Sequence, residues 1–295
     1  MPFAPIGSAP ERRIERGDPT LVTEKVIVIT GASNGIGEAA ARLLKAQGAH
    51  VVIVGRSPER TEQVASELNV PYYLADFTKL DEVRTLAAQL QADFPRIDVL
   101  ANNAGGVMGD RTLTVDGNEM TIQVNHLAPF LLTNLLLDTL IASEASVIAT
   151  SSLANRGAGT LDLNDLTIEH GYTAQRAYAK AKLMDILFTK ELHRRFHAAG
   201  VAAAAFQPGI VRTGFYGEFG GRWSVVYTTS IKHLLRSPAK GADTLVWLAT
   251  SRPGQDWQSG EYYKGRKSSK ATKQAYDMKL AHDLWELSAK LTSLT

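Results

Sequence analysis

Residues 26–37 decide the fold of this chain and read Val26-Ile-Val-Ile-Thr-Gly31-Ala-Ser-Asn-Gly35-Ile-Gly37. The apolar, β-branched first half predicts a buried strand, and residues 38–44 continue the second half as helical sequence. Glycines between a strand and a helix permit a tight turn, and they let main-chain N–H groups approach a pyrophosphate at the helix N-terminus. We therefore predict a strand, a phosphate-binding turn and a helix in succession.

The segment Gly31-Ala-Ser33-Asn-Gly35 also matches Gly-x-Ser-x-Gly, the nucleophile elbow of α/β-hydrolases. Such an elbow usually follows several strands, with its acid and histidine later in the chain. Here the segment follows the first predicted strand, and Gly37 has no role in an elbow. We therefore favour the phosphate-binding turn and keep Ser33 as a nucleophile only as a rival interpretation.

Further apolar runs extend this pattern along the chain. They are continuously apolar rather than alternating, which is typical of strands covered by helices on both faces of a parallel sheet. We predict strands at 26–30, 51–54, a third ending at Leu74, and at 97–100, 147–150 and 202–206, with helices near 36–47, 58–68, 79–92, 118–141 and 173–198. The right-handed crossover rule then predicts a single-domain, doubly wound α/β sheet of about seven strands, in which ligands bind beyond the carboxyl ends of the strands.

The composition restricts the class of protein further. With 44% hydrophobic and 21% charged residues, the chain resembles average globular proteins, and its length suits one wide α/β domain. The 32 Lys and Arg residues nearly balance the 30 Asp and Glu residues, so we expect no nucleic-acid partner. The absence of cysteine excludes disulfides, thiolate catalysis and Cys-based metal sites, and we expect a cytoplasmic location.

The sequence predicts neither a membrane span nor a metal site. The most lipophilic region, 127–142, contains Pro129 and several polar residues and is shorter than the roughly 20 apolar residues that cross a bilayer, so we expect a buried helix there. His193 and His197 lie four residues apart, but no third ligand follows in a recognisable pattern. Residues 1–23, rich in proline and charge, predict a flexible arm before a domain at 24–295.

Residues after the second and third strands indicate the kind of nucleotide. A binder of NAD(H) places Asp or Glu near the ribose 2′-hydroxyl at the end of the second strand, whereas this chain has Arg56. A guanidinium pairs with a 2′-phosphate, so we expect NADP(H), with NAD(H) as the alternative. Asp76, which precedes Phe77, could accept a hydrogen bond from adenine or cap a helix, and the sequence leaves both open.

The ends of the fourth and fifth strands add small and polar residues. The run 102–106, Asn-Asn-Ala-Gly-Gly, allows main-chain contact with a cofactor, and its amides can join neighbouring strand ends. Ser151 and Ser152 follow the fifth strand. Downstream, Tyr178 and Lys182 are four residues apart and share one face of a helix. A cation beside a tyrosine lowers the pKa of its phenol from about 10, which suits proton transfer, although this spacing alone is common by chance.

Together these motifs resemble the short-chain dehydrogenase/reductase family over residues 24–290. The resemblance rests on Thr30 with the glycines through Gly37, Asn102-Asn103-Ala104-Gly105, Asn125, Ser152, Tyr178-x-x-x-Lys182 and Pro208-Gly209, which occur in the family order. Segments 125–133, 187–192 and 284–288 resemble the branch of retinol dehydrogenases and the WW-domain oxidoreductase. The family implies a Rossmann fold, hydride transfer between nicotinamide and a carbonyl or alcohol carbon, and, in many members, a homo-oligomer.

The resemblance also implies roles for individual residues. Tyr178 would be the acid or base, Lys182 would hold the nicotinamide ribose and polarise Tyr178, Ser152 would bind the substrate oxygen, and Asn125 would support Lys182 through a water. The implied cofactor-binding residues are Gly31, Ser33, Asn34, Gly35, Ile36, Gly37, Arg56, Asp76, Phe77, Asn103, Ala104, Gly105, Tyr178, Lys182, Pro208, Gly209, Val211 and Thr213.

The resemblance implies a substrate lid at about 210–240, where several aromatic residues suit a lipophilic carbonyl or alcohol as the small-molecule substrate; core packing explains these residues equally well. The resemblance therefore predicts an NADP(H)-dependent oxidoreductase. A protein of the same fold that binds nucleotide as a sensor or scaffold, without turnover, is the alternative.

Overall fold

The computed structural model describes residues 20–211 and 236–294, and eight strands organise them. The strands are β1 (Val26–Thr30), β2 (His50–Gly55), β3 (Tyr72–Leu74), β4 (Val99–Asn102), β5 (Ser146–Thr150), β6 (Ala202–Gln207), β7 (Glu261–Lys264) and β8 (Lys267–Ser268). They form one sheet in the order β3-β2-β1-β4-β5-β6-β7-β8, parallel throughout except for the β7–β8 pair. The predicted doubly wound sheet is confirmed.

Helices cover both faces of this sheet. The α-helices are α1 (Thr20–Thr23), α2 (Gly35–Ala46), α3 (Pro58–Leu68), α4 (Leu80–Asp93), α5 (Met120–Ile122), α6 (Ala128–Leu135), α7 (Leu137–Ala142), α8 (Ala174–Phe196), α9 (Pro238–Thr250) and α10 (Met278–Leu291). Successive residues of β1 face opposite clusters: Val28 packs in one that includes residues of α4 and α6, whereas Ile27 and Ile29 pack in another that includes residues of α2 and α9. Burial on both faces explains the continuously apolar strand sequences.

The order of the strands reverses at β1. Ile27 pairs with Val51 of β2 on one side and with Val99 of β4 on the other. The two crossovers that leave this point run in opposite directions along the sheet, so a crevice opens beyond the carboxyl ends of β1 and β4. The glycine-rich turn after Thr30 and the turn after Asn102 form the walls of this crevice.

The helix predicted over 118–141 is interrupted in the structure. Between α5 and α6, residues Gln123–Leu127 form a wider π-helical turn, in which Ala128 N–H bonds to the carbonyl of Gln123. Pro129 has no N–H to donate to the carbonyl of Asn125, four residues earlier, and this removes one α-helical hydrogen bond at the turn. The prediction that 127–142 is buried helix is confirmed, because α6 lies in the core and α7 follows it with Leu140 buried.

Several segments lie outside the predicted elements, and β7, α9 and α10 are among them, since no strand or helix was predicted after residue 206. The eighth strand, β8, consists of Lys267 and Ser268 after a turn at Gly265, and such polar residues give no apolar strand signal. Of the predicted arm, only Thr20–Thr23 is described, as one helical turn. The lid region lies mostly outside the described residues. Within the described ranges, no helix has the length and apolar character required to cross a membrane.

Candidate active site

A cleft of about 290 Å³ lies at the carboxyl edge of β1, β2, β3, β4 and β5. The structure brings most of the predicted site residues to its walls, namely Gly31, Ser33, Asn34, Gly35, Ile36, Arg56, Asp76, Phe77, Asn103, Ala104, Gly105, Ser152, Tyr178, Lys182, Pro208, Gly209 and Val211. Gly37 and Asn125 lie behind the walls rather than in them. Thr213 lies outside the described residues.

The glycine-rich turn closes against the turn after β4. Gly31 has a φ of +65°, and a Cβ placed on it would lie 2.7 Å from the Cα of Ala104. A Cβ on Gly37 would lie 2.3 Å from the carbonyl oxygen of Gly31. Gly37 was predicted to bind cofactor, whereas the structure places it beneath the turn. There its missing side chain lets the first turn of α2 pack against the chain leaving β1.

Hydrogen bonds hold the two turns together. Thr30 Oγ1 accepts hydrogen bonds from the main-chain N–H groups of Asn103 and Ala104, both at 3.0 Å. Asn103 Nδ2 donates to the carbonyl of Thr30 at 3.0 Å, and Asn103 Oδ1 accepts from the hydroxyl of Thr150 at 3.1 Å. Asn103 therefore joins the ends of β1, β4 and β5, as the sequence led us to expect.

The end of β2 supplies positive charge to the cleft. Arg56 is exposed and lines the cleft, and so does Arg60, four residues later in the first turn of α3. Ser57 caps α3 by accepting a hydrogen bond from the N–H of Arg60 at 3.4 Å. The sequence analysis missed Arg60, although its spacing of four from Arg56 at a helix start could have indicated it.

Asp76 follows β3 and also lines the cleft. Its Oδ1 accepts a hydrogen bond from the N–H of Thr78 at 3.0 Å, which closes the turn before α4. The residue that caps α4 is Lys79, and the side chain of Asp116 accepts from the first helical N–H, that of Leu80. Asp76 therefore lines the cleft and stabilises a turn, but it does not cap the helix.

The two serines after β5 have different surroundings. Ser151 is buried, and its hydroxyl donates to the carbonyl of Lys182 at 2.7 Å. Ser152 is half-buried in the cleft wall, where its Oγ accepts from the N–H of Ala154 at 3.2 Å. An accepted hydrogen bond leaves the hydroxyl proton of Ser152 for another partner, so Ser152 is the serine suited to a ligand.

Tyr178 and Lys182 lie on the face of α8 that borders the cleft. Tyr178 is half-buried, and Lys182 Nζ lies 5.4 Å from the centre of its ring. Lys182 is 4% exposed, and its Nζ donates to the carbonyl of Thr150 at 2.9 Å. The end of β5 and the helix α8 thus hold an ammonium beside a phenol at the edge of the cleft.

Asn125 supports this region from behind. Its Nδ2 donates to the carbonyls of Gly106 and Thr121 at 2.7 and 2.8 Å, and its Oδ1 accepts from the N–H of Gly106 at 3.0 Å. A Cβ on Gly105 would lie 2.4 Å from Asn125 Oδ1 and 3.5 Å from Lys182 Nζ. Asn125 therefore fixes the loop that faces Lys182, and its side-chain amide groups are bonded to main chain.

A buried carboxylate beside Lys182 was missed by the sequence analysis. Asp185 Oδ2 lies 2.9 Å from Lys182 Nζ, and both side chains are buried. Burial raises the pKa of Asp185 to about 6, against the opposing effect of the Lys182 charge. The spacing of three residues places Asp185 on the same helical face as Lys182, and this spacing could have indicated it.

The rival interpretations find less support in this geometry. A nucleophile elbow needs a histidine close to Ser33, and none is among the described residues that line the cleft. The imidazole of His193 lies 4.6 Å from that of His197 and bonds to Ser259. In the described ranges, no group of three His, Asp or Glu side chains is arranged to hold a metal.

Comparison with known proteins agrees with the fold. The model of the short chain dehydrogenase family matches residues 25–220, so the chain belongs to this family. It falls in the retinol dehydrogenase-like branch and is an oxidoreductase that uses a nicotinamide cofactor, NAD or NADP.

Particular relatives support this assignment. A Streptomyces sp. (strain C5) protein named as a candidate daunorubicin C-13 ketoreductase, DnrU, is 43% identical over 273 residues, which cover 90% of this chain and 91% of that protein. Human retinol dehydrogenase 13 is 36% identical over 283 residues, which cover 92% and 85%. The crystal structure of an uncharacterised protein from Mycobacterium paratuberculosis is similar with a TM-score of 0.74 at 32% identity, covering 92% of this chain and 94% of that one.

Proposed function

We propose that this protein is an NADP(H)-dependent oxidoreductase that interconverts a lipophilic carbonyl compound and its alcohol. One observation carries the proposal: Ser152, Tyr178 and Lys182 line the same cleft as the glycine-rich turn and Arg56. A nucleotide extended along this edge of the sheet would have its phosphates at the turn and its reactive ring beside Tyr178.

The residues present fit a dinucleotide. Gly31 and Gly35 contribute only main chain to the turn that lines the cleft, and the first N–H groups of α2, which begins at Gly35, lie at the same place. After β2, Arg56 and Arg60 line the cleft with two guanidinium groups. A carboxylate at this position would instead favour NAD(H). These charges support NADP(H), and NAD(H) is the alternative.

The bound nicotinamide would supply or accept the hydride. In reduction, the hydroxyl of Tyr178 would donate its proton to the substrate oxygen, and in oxidation the phenolate would take that proton back. Ser152 would donate a hydrogen bond to the same oxygen. Lys182 would stabilise the phenolate and contact the ribose, while Asn125 would keep the loop at Gly106 in place.

The substrate end of the cleft supports a lipophilic ligand. Val107 and Met108 follow the turn after β4 and line the cleft, although the sequence analysis did not name them. One relative is named for reducing a ketone and another for oxidising an alcohol, retinol. We therefore place this chain among proteins that act on apolar carbonyl and alcohol compounds.

Kinetics with purified protein test the proposal. We expect NADPH to be oxidised, followed by its absorbance, in the presence of a ketone or aldehyde from a panel ranging from small and polar to large and apolar. The apolar members should have the higher kcat/KM. Tight NADPH binding with no oxidation on any carbonyl, or on any alcohol in the reverse assay with NADP, would instead favour the sensor or scaffold.

A further inference from the structure

Lys182 is held from two directions. Its Nζ donates to the carbonyl of Thr150 and to Oδ2 of Asp185, each at 2.9 Å. An ammonium has three N–H groups, so these two bonds leave one for the cleft. The ion pair is enclosed, because the Lys182 and Asp185 side chains are 5% and 7% exposed.

The surroundings of the pair contain few other charges. Strands β5 and β6 and helix α5, which pack against α8, carry no titratable side chain. Helix α10 also packs against α8, but its His282 and Glu286 bond to Arg195 near the C-terminal end of α8, and its Lys279 and Asp283 pair with each other. The π-helical turn contributes His126, whose pKa is lowered to about 3 by burial and by Lys182, so it is neutral at physiological pH. On α8 itself, the groups that face the pair include Tyr178, one turn before Lys182.

We propose that Asp185 is a positioning residue that holds Lys182 against Thr150 and weakens the field of its ammonium at Tyr178, so that more of Tyr178 stays a phenol. This inference rests on the proposed function, since the phenol is the form that can give a proton to a carbonyl oxygen. Asp185 would thereby extend carbonyl reduction to higher pH.

The carboxylate of Asp185 changes the electric field that Lys182 exerts on Tyr178. A single ammonium near a phenol stabilises the phenolate strongly. A carboxylate 2.9 Å from that ammonium forms a pair without net charge, and the field of such a pair decreases with distance faster than that of one charge. Because the pair is buried, solvent screens this opposing effect only weakly.

The variant Asp185→Asn tests the charge of the residue 185 side chain separately from its shape. Asparagine has nearly the same size, and its Oδ1 can still accept from Lys182. We expect the pKa of Tyr178 to fall by about one unit. The phenolate absorbance provides the measurement, with the titration of Tyr178→Phe subtracted in both the wild-type and the Asp185→Asn background. In NADPH-dependent reduction, the loss of kcat/KM at high pH should move downward by the same amount.

Two further variants make the result specific. Asp283→Asn removes one negative charge from an exposed ion pair with Lys279 on α10 and should leave the titration of Tyr178 unchanged. Asp185→Glu keeps the charge and should stay close to the wild type. If Asp185→Asn does not fold, Asp185→Thr removes the charge while keeping an oxygen acceptor.

An unchanged titration of Tyr178 in the charge-removing variant, or a shift to higher pKa, would overturn the role of Asp185. The phenol titration needs no turnover, so it separates this inference from the proposed function. A wild-type protein that reduces no carbonyl would refute the proposed function while leaving the titration to decide about Asp185.

Discussion

Ser151 and Lys182 are joined by a hydrogen bond from the serine hydroxyl to the lysine carbonyl at 2.7 Å. This bond ties the end of β5 to α8 next to Tyr178. Ser152, one residue later, is half-buried in the cleft wall, and its hydroxyl oxygen accepts from the N–H of Ala154. The two adjacent serines therefore differ in burial and in the hydrogen bonds that their hydroxyl groups make.

The two serines should therefore respond differently to mutation. We expect Ser152→Ala to lower kcat by roughly 100-fold or more with little change in unfolding free energy, because a donor to the developing oxyanion is lost. Ser151→Ala should cost about 1 kcal/mol of stability, since one buried hydrogen bond between the end of β5 and α8 is lost. Urea unfolding and steady-state kinetics on both variants measure this. Equal losses of kcat would contradict the assignment of Ser152.

Tyr178→Phe should reduce turnover by at least about 100-fold, because general acid catalysis typically contributes that much or more. NADPH affinity should be retained, since the phenyl ring keeps its place beside Lys182. Fluorescence titration with NADPH and single-turnover reduction measure the two effects. Tyr72→Phe, at an exposed position on β3, is the matched control and should behave as wild type. Appreciable residual turnover in Tyr178→Phe would refute its role as acid.

Arg56→Ala should weaken NADPH binding by roughly 10- to 100-fold and NADH binding far less, because only NADPH carries the 2′-phosphate. Arg60→Ala should act in the same direction. Arg266→Ala, which removes an exposed guanidinium paired with Asp243, serves as a control for net charge. Dissociation constants for both cofactors at one ionic strength provide the comparison. Equal losses for NADPH and NADH would show that Arg56 does not contact the phosphate.

Acid should destabilise the protein through His126. Burial lowers the pKa of His126 to about 3, below its unfolded value near 6.5. The unfolded state therefore binds the proton first as pH falls, so this contribution is present above about 6.5 and is lost toward pH 3. His126→Gln should flatten the dependence of unfolding free energy on pH across this window. The exposed His50→Gln should not change the slope.

The sequence predicted the sheet well because its strands are apolar on both faces and end in glycine or small residues. The motifs at the strand ends also identified most of the cleft, including Arg56, Asn103 and the pair Tyr178 and Lys182. The sequence could not show which side chains contact each other across the fold. Gly37 packs closely against Gly31, which the sequence did not show, while its predicted contact with cofactor stays a prediction. The ion pair of Asp185 with Lys182 likewise became visible only from the packing of α8.

Two further features of the structure were not predicted, for reasons that lie in the local sequence. The π-helical turn at 123–127 depends on Pro129 and on side-chain bonds from Asn125, which a periodicity of 3.6 residues does not reveal. The strand β8 is too short and too polar to give a signal. The cytoplasmic location, the arm, the homo-oligomer and the role of Thr213 stay predictions.

The contact of Gly31 with Ala104 joins the turns after β1 and β4, so a bound nucleotide would also change how the protein responds to heat. The same turns that would enclose a nucleotide join the central strands, so a ligand seated there would brace the middle of the sheet. At 100 times its dissociation constant, a ligand that binds only the native state adds about 2.7 kcal/mol to stability. Cofactor supply would then govern how long the folded molecule survives as well as how fast it works.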